Sequence, residues 1–119
     1  MPALRDFEIK AIKLLTGDSL TDAQLVLVEK IAEPIRYEYT GSGYFLTLAD
    51  PSLPAGVATL SYPTVVGEYG EFICGFVVFI GDHELTLECH TWGAVDVPSD
   101  FRDRPVSITT PSVNNVNSP

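Results

Sequence analysis

Two apolar stretches separated by a glycine-aspartate pair constrain the fold of this chain more than any other feature. Residues 72–90 alternate between apolar and mixed positions on either side of Gly81 and Asp82. A period of two is typical of strands with one buried face, and a leading glycine is typical of a two-residue hairpin turn. With Gly81 and Asp82 as the loop, Cys74 is expected opposite Cys89. One face of this hairpin is then uniformly apolar and the other is mixed.

A second hairpin is predicted upstream, within residues 35–48. Tyrosines and aliphatic residues alternate with polar residues there, and Gly41 with Ser42 forms the tight loop. This loop places Tyr39 opposite Tyr44, so that one side of the hairpin is apolar or aromatic.

The N-terminal third has helical periodicity. The spacing predicts a helix over residues 2–15, with an apolar stripe of Leu4, Phe7, Ala11, Leu14 and Leu15. A second helix is predicted to start at Thr21, which forms a capping box with Gln24, and to end before Pro34. Its apolar residues lie on more than one side. Either it is wedged between the first helix and a sheet, or it also faces a partner subunit.

These elements predict a single α+β domain over residues 1–110. Two N-terminal helices are expected to pack on an antiparallel sheet of about five strands. One strand is predicted within residues 57–66, with an edge or a break at Pro63, and a last one is predicted near residues 106–109. Residues 111–119 are rich in Asn, Ser and Pro, which predicts a flexible tail.

The charge is distributed unevenly along the chain. The net charge is −9, and residues 37–101 contain no lysine or arginine. Nine acidic residues lie in this block: Glu38, Asp50, Glu68, Glu71, Asp82, Glu84, Glu88, Asp96 and Asp100. If the fold gathers them, their field repels nucleic acid and anionic membranes and attracts a cationic protein or a metal ion. No secretory signal or membrane-length apolar run is present, and the two cysteines do not make a disulfide framework, so a cytoplasmic location is expected.

No motif for a catalytic nucleophile, a phosphate loop or a cofactor is found, so no catalytic residue and no cofactor are expected. Cys74 and Cys89 are expected to be buried thiols, although a cross-strand disulfide is geometrically possible. Glu84, Glu88 and His90 alternate along one strand and share a face. They could hold a divalent ion, or they could simply form a solvated sheet face.

Trp92 leaves a strand and enters a loop that contains acidic residues. An exposed aromatic residue surrounded by carboxylates suits a surface that receives arginine or lysine side chains. Alternatively, Trp92 closes the end of the core. The candidate residues for binding a partner are Trp92, Asp96, Asp100, Glu84, Glu88 and Glu38.

Two segments carry a resemblance. The sequences GDHELTLECHTWG at 81–93 and VPSDFRD at 97–103 resemble small bacterial proteins of the toxin-immunity kind. The resemblance implies a non-catalytic inhibitor that masks a toxin, often a basic nuclease, and it transfers no binding residue.

Two other functions remain open from the sequence. One is a small metal-dependent protein that uses Glu84, Glu88 and His90. The other is a structural homodimer that pairs through the second helix or through the mixed sheet face.

Overall fold

The computed structural model describes residues 3–111, which form an α+β domain of two helices and seven strands. The predicted class is confirmed, with more strands than the five or so expected. Pro2 and the predicted tail beyond residue 111 lie outside the described residues. The helices are α1 (Asp6–Thr16) and α2 (Asp22–Lys30), and a 3-10 turn spans Phe101–Asp103. The strands are β1 (Arg36–Tyr39), β2 (Gly43–Ala49), β3 (Ala58–Leu60), β4 (Val66–Tyr69), β5 (Phe72–Gly81), β6 (Glu84–Thr91) and β7 (Ser107–Thr109).

All seven strands belong to one antiparallel sheet with the order β1-β2-β6-β5-β4-β7. β3 also pairs with β5, so that β3 and β4 share the same edge of this long strand. The predicted break at Pro63 falls between them. A single predicted strand is therefore two strands, which accounts for part of the difference in strand number.

The hairpin of β1 and β2 has the predicted register. Tyr39 lies opposite Tyr44, and Tyr37 lies opposite Leu46. The loop contains Gly41 with a φ of 87°, a left-handed conformation that glycine adopts without steric cost.

The turn between β5 and β6 lies one residue later than the hydrophobic pattern predicts, and the partner of each β5 residue is therefore shifted by two along β6. Its loop is Asp82 and His83, with φ angles of 53° and 63°, while Gly81 still belongs to β5 and lies opposite Glu84. A neighbouring loop stabilises this turn, because the backbone N–H groups of Asp82 and His83 each donate a 3.0 Å hydrogen bond to the carbonyls of residues 55 and 54. Two positive φ angles in succession are typical of a type I′ turn.

The changed turn also changes the cysteine pairing. Cys74 lies opposite Thr91 and Cys89 lies opposite Phe76, so the predicted Cys74–Cys89 pair is wrong. A shift of two residues leaves every side chain on its predicted face. Both cysteines are therefore free and buried on the apolar face, as expected for buried thiols. A hydrogen bond with Cys74, together with burial, raises the pKa of the Cys89 thiol above its ordinary value.

Helix α1 packs on the apolar face of the sheet. The Phe7 ring lies 6.2 Å from the ring of Phe76 on β5, measured between centroids. The helix begins at Asp6 rather than at residue 2, because the Ala3 N–H donates a 2.8 Å hydrogen bond to the carbonyl of Ile31. This tertiary contact holds residues 3 and 4 outside the helix, yet both are buried.

Helix α2 has the predicted capping box. The Gln24 N–H donates to Thr21 Oγ1 at 3.1 Å, and the Thr21 N–H donates to Gln24 Oε1 at 2.8 Å. Val28 is its one fully buried residue, while Val26 is 48% exposed. Helix α2 therefore contributes one side to the core and keeps apolar area in solvent.

A buried ion pair joins three distant segments of the chain. Glu8 on α1 is fully buried, and it accepts hydrogen bonds from Arg102 Nε at 2.7 Å and from Arg102 Nη2 at 2.8 Å. The Tyr44 hydroxyl on β2 donates to the same carboxylate at 2.5 Å. Arg102 Nη2 also donates to the carbonyl of Ala3 at 2.7 Å. Paired, hydrogen-bonded groups of this kind can be buried because each charge and donor has a partner.

We expect Arg102→Leu to lower the free energy of unfolding by about 3–5 kcal/mol, because it leaves the Glu8 carboxylate buried without a cation. Urea unfolding measures this change. The matched control is the double variant Glu8→Leu/Arg102→Leu, which leaves no buried charge and should recover a large part of the loss. A double variant as unstable as Arg102→Leu would contradict this account.

Because of Tyr44, we expect the free energy of unfolding to fall at alkaline pH. Burial, with the nearby Glu8 carboxylate, raises the pKa of Tyr44 well above its ordinary value of 10.0. The unfolded chain then loses this proton near pH 10 while the folded protein retains it, so this part of the stability is complete below pH 10 and is lost as the pH rises further.

Urea unfolding at about pH 8 and about pH 11 should therefore show a fall of roughly 1 kcal/mol that Tyr44→Phe removes. Tyr62→Phe is the matched control, since Tyr62 is 87% exposed. An unchanged alkaline fall in Tyr44→Phe would rule out this role.

Candidate functional site

The sheet has a second face that points away from α1. The side chains that alternate with the buried ones along each strand lie on this second face, which we call the outer face. The outer face includes Arg36, Glu38, Phe45, Thr47, Glu68, Ile73, Val77, Phe79, Glu84, Thr86, Glu88 and His90. Its apolar residues remain accessible: Ile73 is 40% exposed and Phe79 is 38% exposed.

Carboxylates and apolar side chains are interleaved on the outer face. One row across the strands runs from Glu38 to Phe45, then to Glu88 and Val77. Glu68 lies opposite Ile73 in another row. Two of the predicted partner-binding residues, Glu38 and Glu88, thus lie on either side of one phenylalanine.

The acidic block does not form one continuous negative surface. Glu84 forms a 2.8 Å ion pair with Arg36, and Asp100 forms a 2.7 Å ion pair with Arg104. Asp82 lies in the β5–β6 turn, and Asp96 lies beside Gly41 in the β1–β2 loop. Arginines before and after the block thus neutralise two of the nine acids, and the other seven make no ion pair within residues 3–111. These seven are divided among the outer face, turns and loops, so the expected gathering of all nine in one region is wrong.

Trp92 lies on the outer face and does not close the core. Its backbone N–H donates a 2.9 Å hydrogen bond to the carbonyl of Ile73, and the residue is 52% exposed. The indole covers Gly75, where a β-carbon would lie 2.5 Å from the Trp92 Nε1 atom. The absence of a side chain at Gly75 therefore lets the indole lie against the backbone of β5.

A pocket of about 240 Å³ opens beside this indole. The residues that line it are Glu71, Phe72, Ile73, Thr91, Trp92, Gly93 and Val95. Glu71 is the one carboxylate among them, and it was not among the predicted binding residues. Asp96 and Asp100, which the sequence places near Trp92, do not line this pocket.

Glu71 was not predicted, because the acidic candidates around Trp92 were those close to it along the chain. Glu71 is 21 positions away in sequence, in the connection between β4 and β5. The predicted pairing of β5 with β6 could have indicated Glu71, because it brings the start of β5 beside the end of β6.

The candidate metal ligands share a face as predicted but do not form a metal site. Glu84 is engaged by Arg36, and Glu84, Glu88 and His90 lie in sequence along a single strand. Within residues 3–111 no group of three His, Cys, Asp or Glu side chains is arranged to hold a metal ion. His90 Nδ1 is buried and has no hydrogen-bond partner in this part of the chain.

Comparison of the chain with protein-family models, with curated proteins and with solved structures finds no match. Among the described residues, neither helix combines the length and the apolar character needed to cross a membrane. The outer face and the pocket are therefore the features from which a function can be inferred.

We expect Gly75→Ala to displace the Trp92 indole, because the new methyl group would meet it at 2.5 Å. Trp92 is the single tryptophan, so its fluorescence emission should shift to longer wavelength and become easier to quench. Stability should change by less than about 1 kcal/mol, since a half-exposed side chain can swing into solvent.

Gly93→Ala is the matched control. A β-carbon at Gly93 has no neighbouring atom closer than 3.7 Å, so this variant should leave the emission unchanged. The same emission spectrum in Gly75→Ala and in the unmodified protein would show that the indole does not lie over Gly75.

Proposed function

We propose that this protein is a non-catalytic binding module that holds a cationic protein on its outer face. The observation that carries the proposal is the interleaving of exposed apolar residues with unneutralised glutamates on that face. Trp92, Ile73 and Phe79 are each between 38% and 52% exposed. Aromatic and aliphatic anchors of this kind supply much of the energy of protein interfaces.

Charge supports a cationic occupant. Glu38, Glu68 and Glu88 make no ion pair within residues 3–111, whereas Glu84 is neutralised by Arg36. Uncompensated carboxylates around an apolar patch favour approach of a basic protein and disfavour acidic ones. The overall charge of −9 adds long-range attraction to the same class of partner.

An immunity or inhibitor role is the biological form of this proposal, in which the module masks a basic protein. It is supported by the resemblance in β6 and the segment after it. A cytoplasmic location fits the two buried free thiols, because extracellular domains of this size commonly cross-link their cysteines.

The test is binding to the protein encoded by the adjacent gene, measured by calorimetry at about 0.1 M and about 1 M salt. Screening lengths fall from roughly 10 Å to roughly 3 Å over this range, so the affinity should drop by about tenfold or more. Phe79→Ser should weaken binding by about tenfold through loss of an anchor.

Val26→Ser is the matched control for Phe79→Ser. It removes a similarly exposed apolar side chain from α2, on the helical side of the sheet, and should leave affinity within about twofold. Equal losses in the two variants, or no binding at low salt, would overturn the proposal.

Sedimentation of the protein alone distinguishes a structural homodimer from a module that binds a cationic partner. A monomer at tens of micromolar is expected. A dimer that Phe79→Ser dissociates would show that a second copy occupies the outer face instead of a cationic partner.

A further inference from the structure

The pocket beside Trp92 has the size of a side-chain receptor. Its volume of about 240 Å³ lies below the roughly 300–1,000 Å³ of pockets that take whole small ligands. Phe72, Ile73 and Val95 contribute apolar walls, and the indole of Trp92 contributes an aromatic one. We call this cavity the indole pocket.

The indole pocket contains one negative side chain. Glu71 lines it, is exposed, and makes no ion pair within residues 3–111. Glu68 lies opposite Ile73 on the same face and is also without a cation in this part of the chain. Arg104 lies over the Tyr69 ring, 5.7 Å from its centroid, but it is paired with Asp100 at 2.7 Å. The pocket thus combines apolar walls with one carboxylate that has no ion-pair partner within residues 3–111.

We propose that the indole pocket receives an arginine side chain of the cationic partner. The methylene stem would lie against Ile73 and Phe72, the guanidinium would stack on Trp92, and Glu71 would accept its hydrogen bonds. This inference rests on the proposed function and names the residue type that the outer face recognises.

Arginine fits this combination better than lysine. Its planar guanidinium stacks on an aromatic ring and donates two parallel hydrogen bonds to one carboxylate. A lysine ammonium is a compact, strongly hydrated charge that gains less from an indole surface. The proposal therefore predicts discrimination between these two cations.

The experiment titrates the protein with acetyl-Gly-Arg-Gly-amide and follows Trp92 fluorescence. The single tryptophan reports on this pocket alone. We expect a saturable change with a dissociation constant of about 1–10 mM, the scale of one side chain in a partly open site. The peptide with citrulline, which has the shape of arginine without its charge, should bind about tenfold more weakly, and the lysine peptide about threefold more weakly.

Glu71→Gln should lower the affinity for the arginine peptide by about three- to fivefold, as expected for an exposed charged contact. Asp18→Asn is the matched control. It makes the same change in net charge at an exposed position after α1, and should alter binding by less than about 1.5-fold.

Three results would overturn the inference: no saturable change up to about 50 mM peptide, equal binding of the arginine and citrulline peptides, or equal effects of Glu71→Gln and Asp18→Asn. Equal binding of the lysine peptide would overturn the assignment to arginine. If the adjacent gene product still binds while the peptide does not, the proposed function stands and the indole pocket has no part in it. If neither the peptide nor the adjacent gene product binds, the proposed function is wrong as well.

Discussion

The Glu8–Arg102 ion pair is the interaction on which the arrangement of this domain depends. A fully buried carboxylate is tolerated only with a cation and donors in place, and here they come from the 3-10 turn near the C-terminus and from β2. Arg102 also lies over the rings of Tyr37 and Tyr44, 5.3 and 5.7 Å from their centroids. The pair therefore holds α1, β2 and the C-terminal segment in one geometry.

This geometry leaves the two faces of the sheet unequal. Helix α1 and the C-terminal segment cover the apolar face, so the other face retains its apolar residues in solvent. Antiparallel sheets commonly keep one solvated face, but such faces are usually polar. Phe45, Val77 and Phe79 depart from that pattern. Phe45 lies between Glu38 and Glu88, and Val77 lies beside Glu88; this mixture of apolar and acidic side chains is the basis of the proposed binding function.

The sequence predicted the register of one hairpin and missed that of the other for a physical reason. In the β1–β2 hairpin the local turn residues decide the pairing, and Gly41 supplies the required φ. In the β5–β6 hairpin the turn is held by carbonyls from residues 54 and 55, far from it in sequence. Contacts between distant segments also explain why Glu71 was not predicted beside Trp92, since strand pairing brings the two together. The arginine partners of Glu84 and Asp100 were missed for the same reason.

Local periodicity was enough to establish the α+β class, the capping of α2 and the face on which each residue of β5 and β6 lies, because these depend on neighbours in sequence. Burial of Glu8 was not predicted, although it lies four residues after Leu4 and three before Ala11, on the buried side of α1. Which charges are neutralised, which face stays open and which carboxylate meets the indole were decided by tertiary structure alone. Those outcomes require contacts between segments that no local pattern specifies.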